Sequence, residues 1–390
     1  MKNLYLLKKK IQNFLMINVL ADQYIYNIRS YLSENINLTL FDPAKGFSPE
    51  IDWAHALLVR TVIPVNEHTL PEIPESLQFI GTASAGTDHV DIDYLNKNDI
   101  TFADAAGCNA RSVAEYVAIA LLIWAEQRDR NLEKLRVGVI GVGNVGGEVI
   151  ELLEKLGIST VGYDPPREEQ NSNFKSASLE QVLKCDVLSF HTPLTTVGSY
   201  PTYHWLDAEK LSTSSFQLVI NTARGGVVDE QALLNAFEGG TINDFILDVW
   251  ENEPELNLRS AEKTFIKTPH IAGYSIQAKE NASRLVADAL LDYFNIPKPD
   301  HSQNHQKHIF AEPLSHFETL SELLVELHSI KKYEAELQNI IDRHFEERGE
   351  RFNQLRAEFL LRQEFKNIFL PPPYFEKFSV LKKLGFSLIE

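Results

Sequence analysis

Arg224, Glu253 and His270 are the residues whose types and order could do chemistry together. Arg224 stands in Asn221-Thr222-Ala223-Arg224-Gly225-Gly226. Glu253 stands in Asp248-Val249-Trp250-Glu251-Asn252-Glu253-Pro254, and His270 in Thr268-Pro269-His270-Ile271-Ala272-Gly273-Tyr274. The first two segments follow apolar runs that read as strands, and ligands of open α/β sheets bind at the carboxyl ends of strands. An arginine, a carboxylate and a histidine there supply what oxidation of a 2-hydroxy acid requires. Hydride leaves the carbinol carbon while the hydroxyl loses a proton, and imidazole titrates in the right range to take that proton. A carboxylate behind the imidazole orients it and favours its protonated form. A planar guanidinium holds the substrate carboxylate in bidentate fashion and polarises the reacting oxygen. Each residue alone has a plainer reading, as a solvated loop arginine or a structural histidine after proline. Glu251 competes with Glu253 for the carboxylate role, and spacing does not choose between them.

These groups need a hydride acceptor, and a glycine-rich turn upstream provides for one. Residues 137–140 form a short apolar run, followed by Gly141, Gly143, Asn144, Val145 and Gly146 in G-x-G-x-x-G spacing. A helical stretch then ends at Gly157, and a second apolar run ends at Asp164. Strand, turn, helix, strand and acid make the dinucleotide-binding fingerprint. Gly141 permits the tight turn, Gly143 lets backbone N–H groups approach a pyrophosphate, and Gly146 lets the helix pack on the strand. The helix N-terminus favours the anion. Asp164 can accept from both ribose hydroxyls and repels a 2′-phosphate, so the expected cofactor is NAD rather than NADP.

The elements that position these groups alternate in type. Apolar runs at 17–20, 56–59, 79–82 and 101–103 predict a βαβ layer ahead of the fingerprint. Asn109 is expected to cap a helix running to about residue 126. Further strands are expected at 187–190, 218–220, 245–249 and 265–267, and a helix at 277–294. The sequence predicts an α/β fold of two Rossmann-like, doubly wound lobes with a cleft between them. Residues 297–308 read as a linker. Its His301, His305 and His308 sit among prolines and polar residues, so no metal site is expected. From 309 the texture changes. Residues 315–347 are strongly helical, with Leu320, Leu324, Leu327, Ile330, Leu337 and Ile341 at near-heptad spacing, interrupted at Gly349. Pro371-Pro372-Pro373 ends the next helix, and residues 386–389 read as a strand.

Size and charge narrow the function. The chain has 390 residues, enough for two or three domains. A net charge of −17 argues against binding nucleic acid or anionic membrane. No stretch is apolar enough to span a bilayer. Two cysteines, Cys108 and Cys185, give neither a disulfide framework nor metal spacing, so a cytoplasmic location is expected. Residues 1–15 read as an extension ahead of a first strand that begins after Met16.

On the Arg, Glu and His segments the chain resembles the D-isomer-specific 2-hydroxyacid dehydrogenases. The resemblance extends through Gly81-Thr82-Ala83-Ser84-Ala85-Gly86-Thr87-Asp88-His89, Gly107-Cys108-Asn109-Ala110, Asp164-Pro165-Pro166-Arg167 and Phe190-His191-Thr192-Pro193-Leu194. It implies that the glutamate before proline, Glu253, partners His270. It implies NAD contacts at Asp164, Thr192, Asp248 and Gly273, and contacts to a small phosphorylated 2-hydroxy acid at Thr61, Ser84 and Tyr274, with Arg60 offering charge for a phosphate. It also implies a discontinuous substrate-binding lobe (16–108 and 271–296), an NAD-binding domain (109–270) and a small α+β C-terminal domain (309–390) that makes a homodimer. Two alternatives fit the same residues: a family member acting on D-3-phosphoglycerate, D-lactate or hydroxypyruvate, or an NAD-sensing interaction protein with little catalysis.

Overall fold

Runs of branched apolar residues, too short for helices, form the strands of two parallel sheets. In a computed structural model, described over residues 16–300, 307–342 and 345–389, the chain divides into two units. The first is Met1–Asn109 with Gln277–Asn304, and the second is Ala110–Ile276 with His305–Glu390. The extension at 1–15, His301 and His305 lie outside the described residues.

In the first unit, β1 (Ile17–Asp22), β2 (Ile36–Phe41), β3 (Ala56–Val59), β4 (Phe79–Thr82) and β5 (Thr101–Ala103) lie in the order β2-β1-β3-β4-β5, all parallel. The order reverses between β1 and β3, where an open doubly wound sheet leaves its crevice. β2 is an addition to the expected strands. Only Phe41 of it is buried, so it lacks the continuous apolar run of its neighbours. The helix Ile276–Tyr293 buries Val286, Ala287, Leu290 and Leu291 in one cluster with Ile17, Val19, Leu58 and Phe79. The close approach is possible because β4 carries Gly81, where a Cβ would press on Val286.

In the second unit, β6 (Arg136–Ile140), β7 (Ser159–Tyr163), β8 (Val187–Phe190), β9 (Phe216–Asn221), β10 (Ile242–Leu247) and β11 (Ile266–Lys267) form a six-stranded parallel sheet ordered β11-β10-β9-β8-β6-β7. The chain moves outward from β6 to β7, then returns to build the other side. Its switch point therefore falls between β6 and β8. The helix Ala110–Gln127 packs beneath it with Val117, Leu121 and Trp124 buried. Asn109 does not cap this helix: its side-chain oxygen is buried and accepts no hydrogen bond.

The C-terminal residues depart most from expectation. The helical stretch starts at Leu320, behind a Thr319–Glu322 capping box, and breaks at Ser329, which adopts φ 59°. Helices Leu320–His328 and Ile330–Ile341 flank that break, so no single heptad helix forms. Leu324, Leu327 and Ile330 enter the cluster built on the helix Ala110–Gln127, and Leu337 and Ile341 enter that of β9 and β10. Gly349 lies inside the helix Phe345–Ala357 rather than interrupting it, and Pro372 opens the helix Pro372–Lys377 rather than ending one. A small parallel sheet, β12 (His308–Ile309), β13 (Ile368–Leu370) and β14 (Ser387–Leu388), completes the unit. His308, expected in the linker, is an exposed residue of β12.

Candidate active site

At the end of β6 the chain turns through Gly141 at φ 84°, a conformation that costs a side-chain-bearing residue energy. A Cβ there would lie 2.7 Å from Thr192 Cγ2, so the turns after β6 and β8 meet at the switch point. A Cβ on Gly146 would collide with the Gly141 carbonyl oxygen. At Gly143, by contrast, a Cβ would meet nothing within 4 Å. Gly143 and Asn144 are exposed, Val145 is half-buried, and the helix Asn144–Leu156 begins with no side-chain cap on its first N–H groups. The Thr192 hydroxyl is buried without a hydrogen-bond partner. Uncapped amides, open space at Gly143 and an orphaned hydroxyl beside them fit a dinucleotide. Asp164, after β7, is half-buried. Its two oxygens accept the Val142 N–H at 2.8 Å and the Arg167 N–H at 3.0 Å. Each oxygen keeps a lone pair for a ribose hydroxyl.

The three catalytic candidates sit at the ends of β9, β10 and β11. Asn221 closes β9 and shapes the next turn: its Nδ2 donates to the Arg224 carbonyl at 3.0 Å and its Oδ1 accepts from the Ala223 N–H at 3.1 Å. Arg224 is half-buried, with Nη1 donating to the Ala223 carbonyl at 2.8 Å. Gly225 has no room for a side chain, since a Cβ would overlap the Trp250 carbonyl. The Arg224 turn is thus pressed against the loop that carries Glu253. Glu253 Oε1 accepts the Trp250 N–H at 2.9 Å, and Oε2 lies 2.9 Å from His270 Nδ1. The Glu253–Pro254 peptide is cis.

His270 has φ 58°, unusual for a non-glycine residue. It is held there by Asp248, which is 1% exposed. The Asp248 carbonyl accepts the His270 N–H at 2.7 Å. Its Oδ1 accepts from Ile271 N at 2.8 Å and Thr268 Oγ1 at 2.6 Å, and Oδ2 accepts from Ala272 N at 2.9 Å. Because Thr268 donates its proton to Asp248, Tyr116 must donate to Thr268 Oγ1 across 2.7 Å. Asp248 therefore shapes the backbone of the histidine loop, with both its oxygens engaged. Gly273 and Tyr274 follow half-buried, and the Tyr274 ring packs edge-on against Phe359, centroids 5.4 Å apart.

Electrostatics fix the tautomer. Burial pushes the Glu253 carboxyl up, but His270, facing and hydrogen-bonding it, and then Arg356 outweigh burial and hold it below its ordinary value. An ionised carboxylate only accepts, so Nδ1 of His270 carries a proton, and in the neutral ring Nε2 presents the lone pair. Such an imidazole can take a proton from a hydroxyl. Glu251 is engaged elsewhere: its Oε1 lies 2.9 Å from His204 Nε2. Geometry thus selects Glu253 over Glu251.

Thr61 and Ser84 belong to the first unit. Thr61 is exposed in the turn after β3, and the half-buried Ser84 hydroxyl lies 3.0 Å from Thr82 Oγ1. Arg60 is committed to fully buried Asp22, Nε to Oδ2 at 2.8 Å. Asp22, Arg356 and Phe359 escaped sequence reasoning, and Gly225 and Thr268 entered it only as neighbours of Arg224 and His270. Among the described residues no cluster of three His, Cys, Asp or Glu side chains could hold a metal ion.

The geometry agrees with what the chain resembles. The D-isomer specific 2-hydroxyacid dehydrogenase NAD-binding domain matches residues 118–272. A D-lactate dehydrogenase of Aquifex aeolicus, solved with NAD and lactic acid, superposes with TM-score 0.57 at 26% identity, covering 71% of this chain and 95% of that one. The chain belongs to the D-isomer-specific 2-hydroxyacid dehydrogenase family. Within it, an erythronate-4-phosphate dehydrogenase of Bacteroides fragilis is 39% identical over 283 residues, 72% of this chain and 81% of that protein. Another, from Yersinia enterocolitica, is 38% identical over 346 residues, 86% and 89% of the two chains.

Proposed function

We propose that this protein oxidises 4-phospho-D-erythronate to 2-oxo-3-hydroxy-4-phosphobutanoate with NAD, a step of pyridoxal 5′-phosphate (vitamin B6) biosynthesis. The observation that carries the reading is the 2.9 Å His270–Glu253 pair, with Arg224 on the neighbouring strand end. NAD, when bound, supplies the hydride acceptor. Gly141, Gly143, Asn144, Val145 and Gly146 cradle its pyrophosphate, Asp164 its ribose, and Thr192, Asp248 and Gly273 complete its site. Arg224 holds the substrate carboxylate and polarises the C2 oxygen. His270 Nε2 takes the hydroxyl proton, and Glu253 stabilises the resulting imidazolium. Thr61, Ser84 and Tyr274 hold the rest of the substrate, a small phosphorylated 2-hydroxy acid.

The test is turnover on 4-phospho-D-erythronate, D-3-phosphoglycerate and D-lactate, with NAD and a 2-oxo acid acceptor. Preference for the first is expected; preference for another acid overturns the substrate assignment. His270→Asn should lower kcat by about 10²–10⁴-fold, while NADH binding, followed by fluorescence, stays near wild type. Turnover near wild type in that variant would sink the role given to His270.

The C-terminal residues make a homodimer in this reading. Ile309, Leu360 and Leu388 are exposed apolar side chains there. Light scattering should give twice the chain mass; a monomer at micromolar concentration overturns it. The location is cytoplasmic, in keeping with two unpaired, buried cysteines. No helix among the described residues is long and apolar enough to cross a membrane.

A further inference from the structure

The helix Phe345–Ala357 reaches the loop that carries Glu253. Gly349 lies against Pro254 and Glu255, where a Cβ would come within 3.2 Å of Pro254 Cγ. Phe352 is fully buried in the same cluster as Trp250 and Leu247. These two contacts fix where the next turns of the helix fall. Arg356 follows, with Nη1 4.0 Å from Glu253 Oε2, the same oxygen that His270 Nδ1 engages at 2.9 Å. The Arg356 side chain is only 26% exposed, and its Nε is buried with no hydrogen-bond partner. A few residues on, Phe359 buttresses Tyr274 and stacks on Tyr333 with centroids 4.1 Å apart.

We infer, building on the catalytic reading above, that Arg356 is a positioning residue: it shares the Glu253 carboxylate with His270 and sets the balance of the pair between neutral and protonated imidazole. The guanidinium and the imidazole Nδ1–H both draw on one carboxylate oxygen. The guanidinium is always charged, so it draws part of the anion's field away from the imidazolium. Without the guanidinium the carboxylate would hold the imidazolium more strongly. A second effect is geometric. With Arg356 and the Trp250 N–H both drawing on it, the carboxylate has less freedom to rotate away from Nδ1.

Other ionisable groups face this pair. Glu230, from the helix Glu230–Glu238, acts on Glu253; Asp248, after β10, acts on His270; Glu255 shares the Gly349 contact. All three remain when Arg356 alone is changed, so a difference between variants isolates the guanidinium.

The experiment follows the His270 ring proton by NMR against pH in the full-length protein without NAD. The signal is assigned by its loss in His270→Asn. In Arg356→Gln the titration midpoint should rise, because removal of a nearby cation favours the imidazolium; in Arg356→Lys it should stay near wild type. The acid limb of kcat/KM should move the same way. At about pH 6, kcat/KM should fall roughly two- to five-fold, the scale of a partly exposed ion pair. A midpoint unchanged in Arg356→Gln overturns the inference. So does a pH-independent rise in KM confined to phosphorylated substrates, which would make Arg356 a substrate contact instead. If thermal melting shows Arg356→Gln unfolded, Arg356→Met decides: it keeps much of the side chain's bulk, removes the guanidinium, and must raise the midpoint too. The titration needs no turnover, so a protein inactive on every 2-hydroxy acid would refute the proposed function and leave this inference to the NMR result alone.

Discussion

Glu230 is 5% exposed, and burial lifts its carboxyl to about 7. It accepts the Glu251 N–H at 2.9 Å, two residues before Glu253, so its proton is coupled to the loop that carries Glu253. The sign of its effect on stability follows from the raised value. Below about 4.5, the ordinary carboxyl value, folded and unfolded chains both hold the proton and the contribution is whole. As pH rises through about 7, the folded chain must ionise a buried group and the contribution is lost. Glu230→Gln, neutral throughout, escapes that loss. Its Tm relative to wild type should climb from about pH 4.5 to about 7 and level off above, by an amount equivalent to on the order of 3 kcal/mol. A Tm difference constant over that window would show that Glu230 does not titrate there.

Glycines decide how the elements meet. A Cβ at Gly225 would overlap the Trp250 carbonyl, a backbone atom that cannot turn aside. Gly225→Ala should therefore separate the Arg224 turn from the Glu253 loop, lowering kcat/KM at least ten-fold, about 1.4 kcal/mol or more of transition-state stabilisation. Steady-state kinetics on folded variant checks this, and activity within two-fold of wild type, about 0.4 kcal/mol, contradicts it. At this scale the sequence was readable where local rules governed. β3, β4, β5 and β8 coincide with their apolar runs, and Gly157 ends its helix at φ 87° as a glycine C-cap does. β2 was illegible because an edge strand with little buried surface carries no continuous apolar signal. The break at Ser329 was illegible because serine does not announce a left-handed residue. The candidates Arg224, Glu253 and His270 could be picked out because the first two segments follow apolar runs and all three have recognisable neighbours. Arg356 and Phe359 could not, because only tertiary packing of distant segments brings them to Glu253 and Tyr274.

Across the second unit, the C-terminal residues are fastened by a buried charge network. Arg362, 8% exposed, donates from Nη1 to Glu115 Oε2 at 2.7 Å and from Nη2 to the Ser112 carbonyl at 2.9 Å. Glu115 Oε1 takes the Arg111 Nε–H at 2.9 Å and the Phe365 N–H at 3.1 Å. Burial raises the Glu115 carboxyl even so, Arg362 and Arg111 pulling the other way. Removing one partner leaves a buried charge uncompensated, so Arg362→Ala should cost about 3–5 kcal/mol in urea unfolding. A loss below about 1 kcal/mol would mean the network contributes little. Arg362 also binds through its backbone, its carbonyl accepting the Ile276 N–H at 2.9 Å just beyond Tyr274. Translation runs from N- to C-terminus, so Arg224, Glu253 and His270 leave the ribosome well before Arg356, Phe359 and Arg362. A nascent chain, or one cut short by a premature stop codon, holds Arg224, Glu253 and His270 and none of these late contacts. Such fragments should be inert rather than unregulated, and activity should appear only as synthesis finishes.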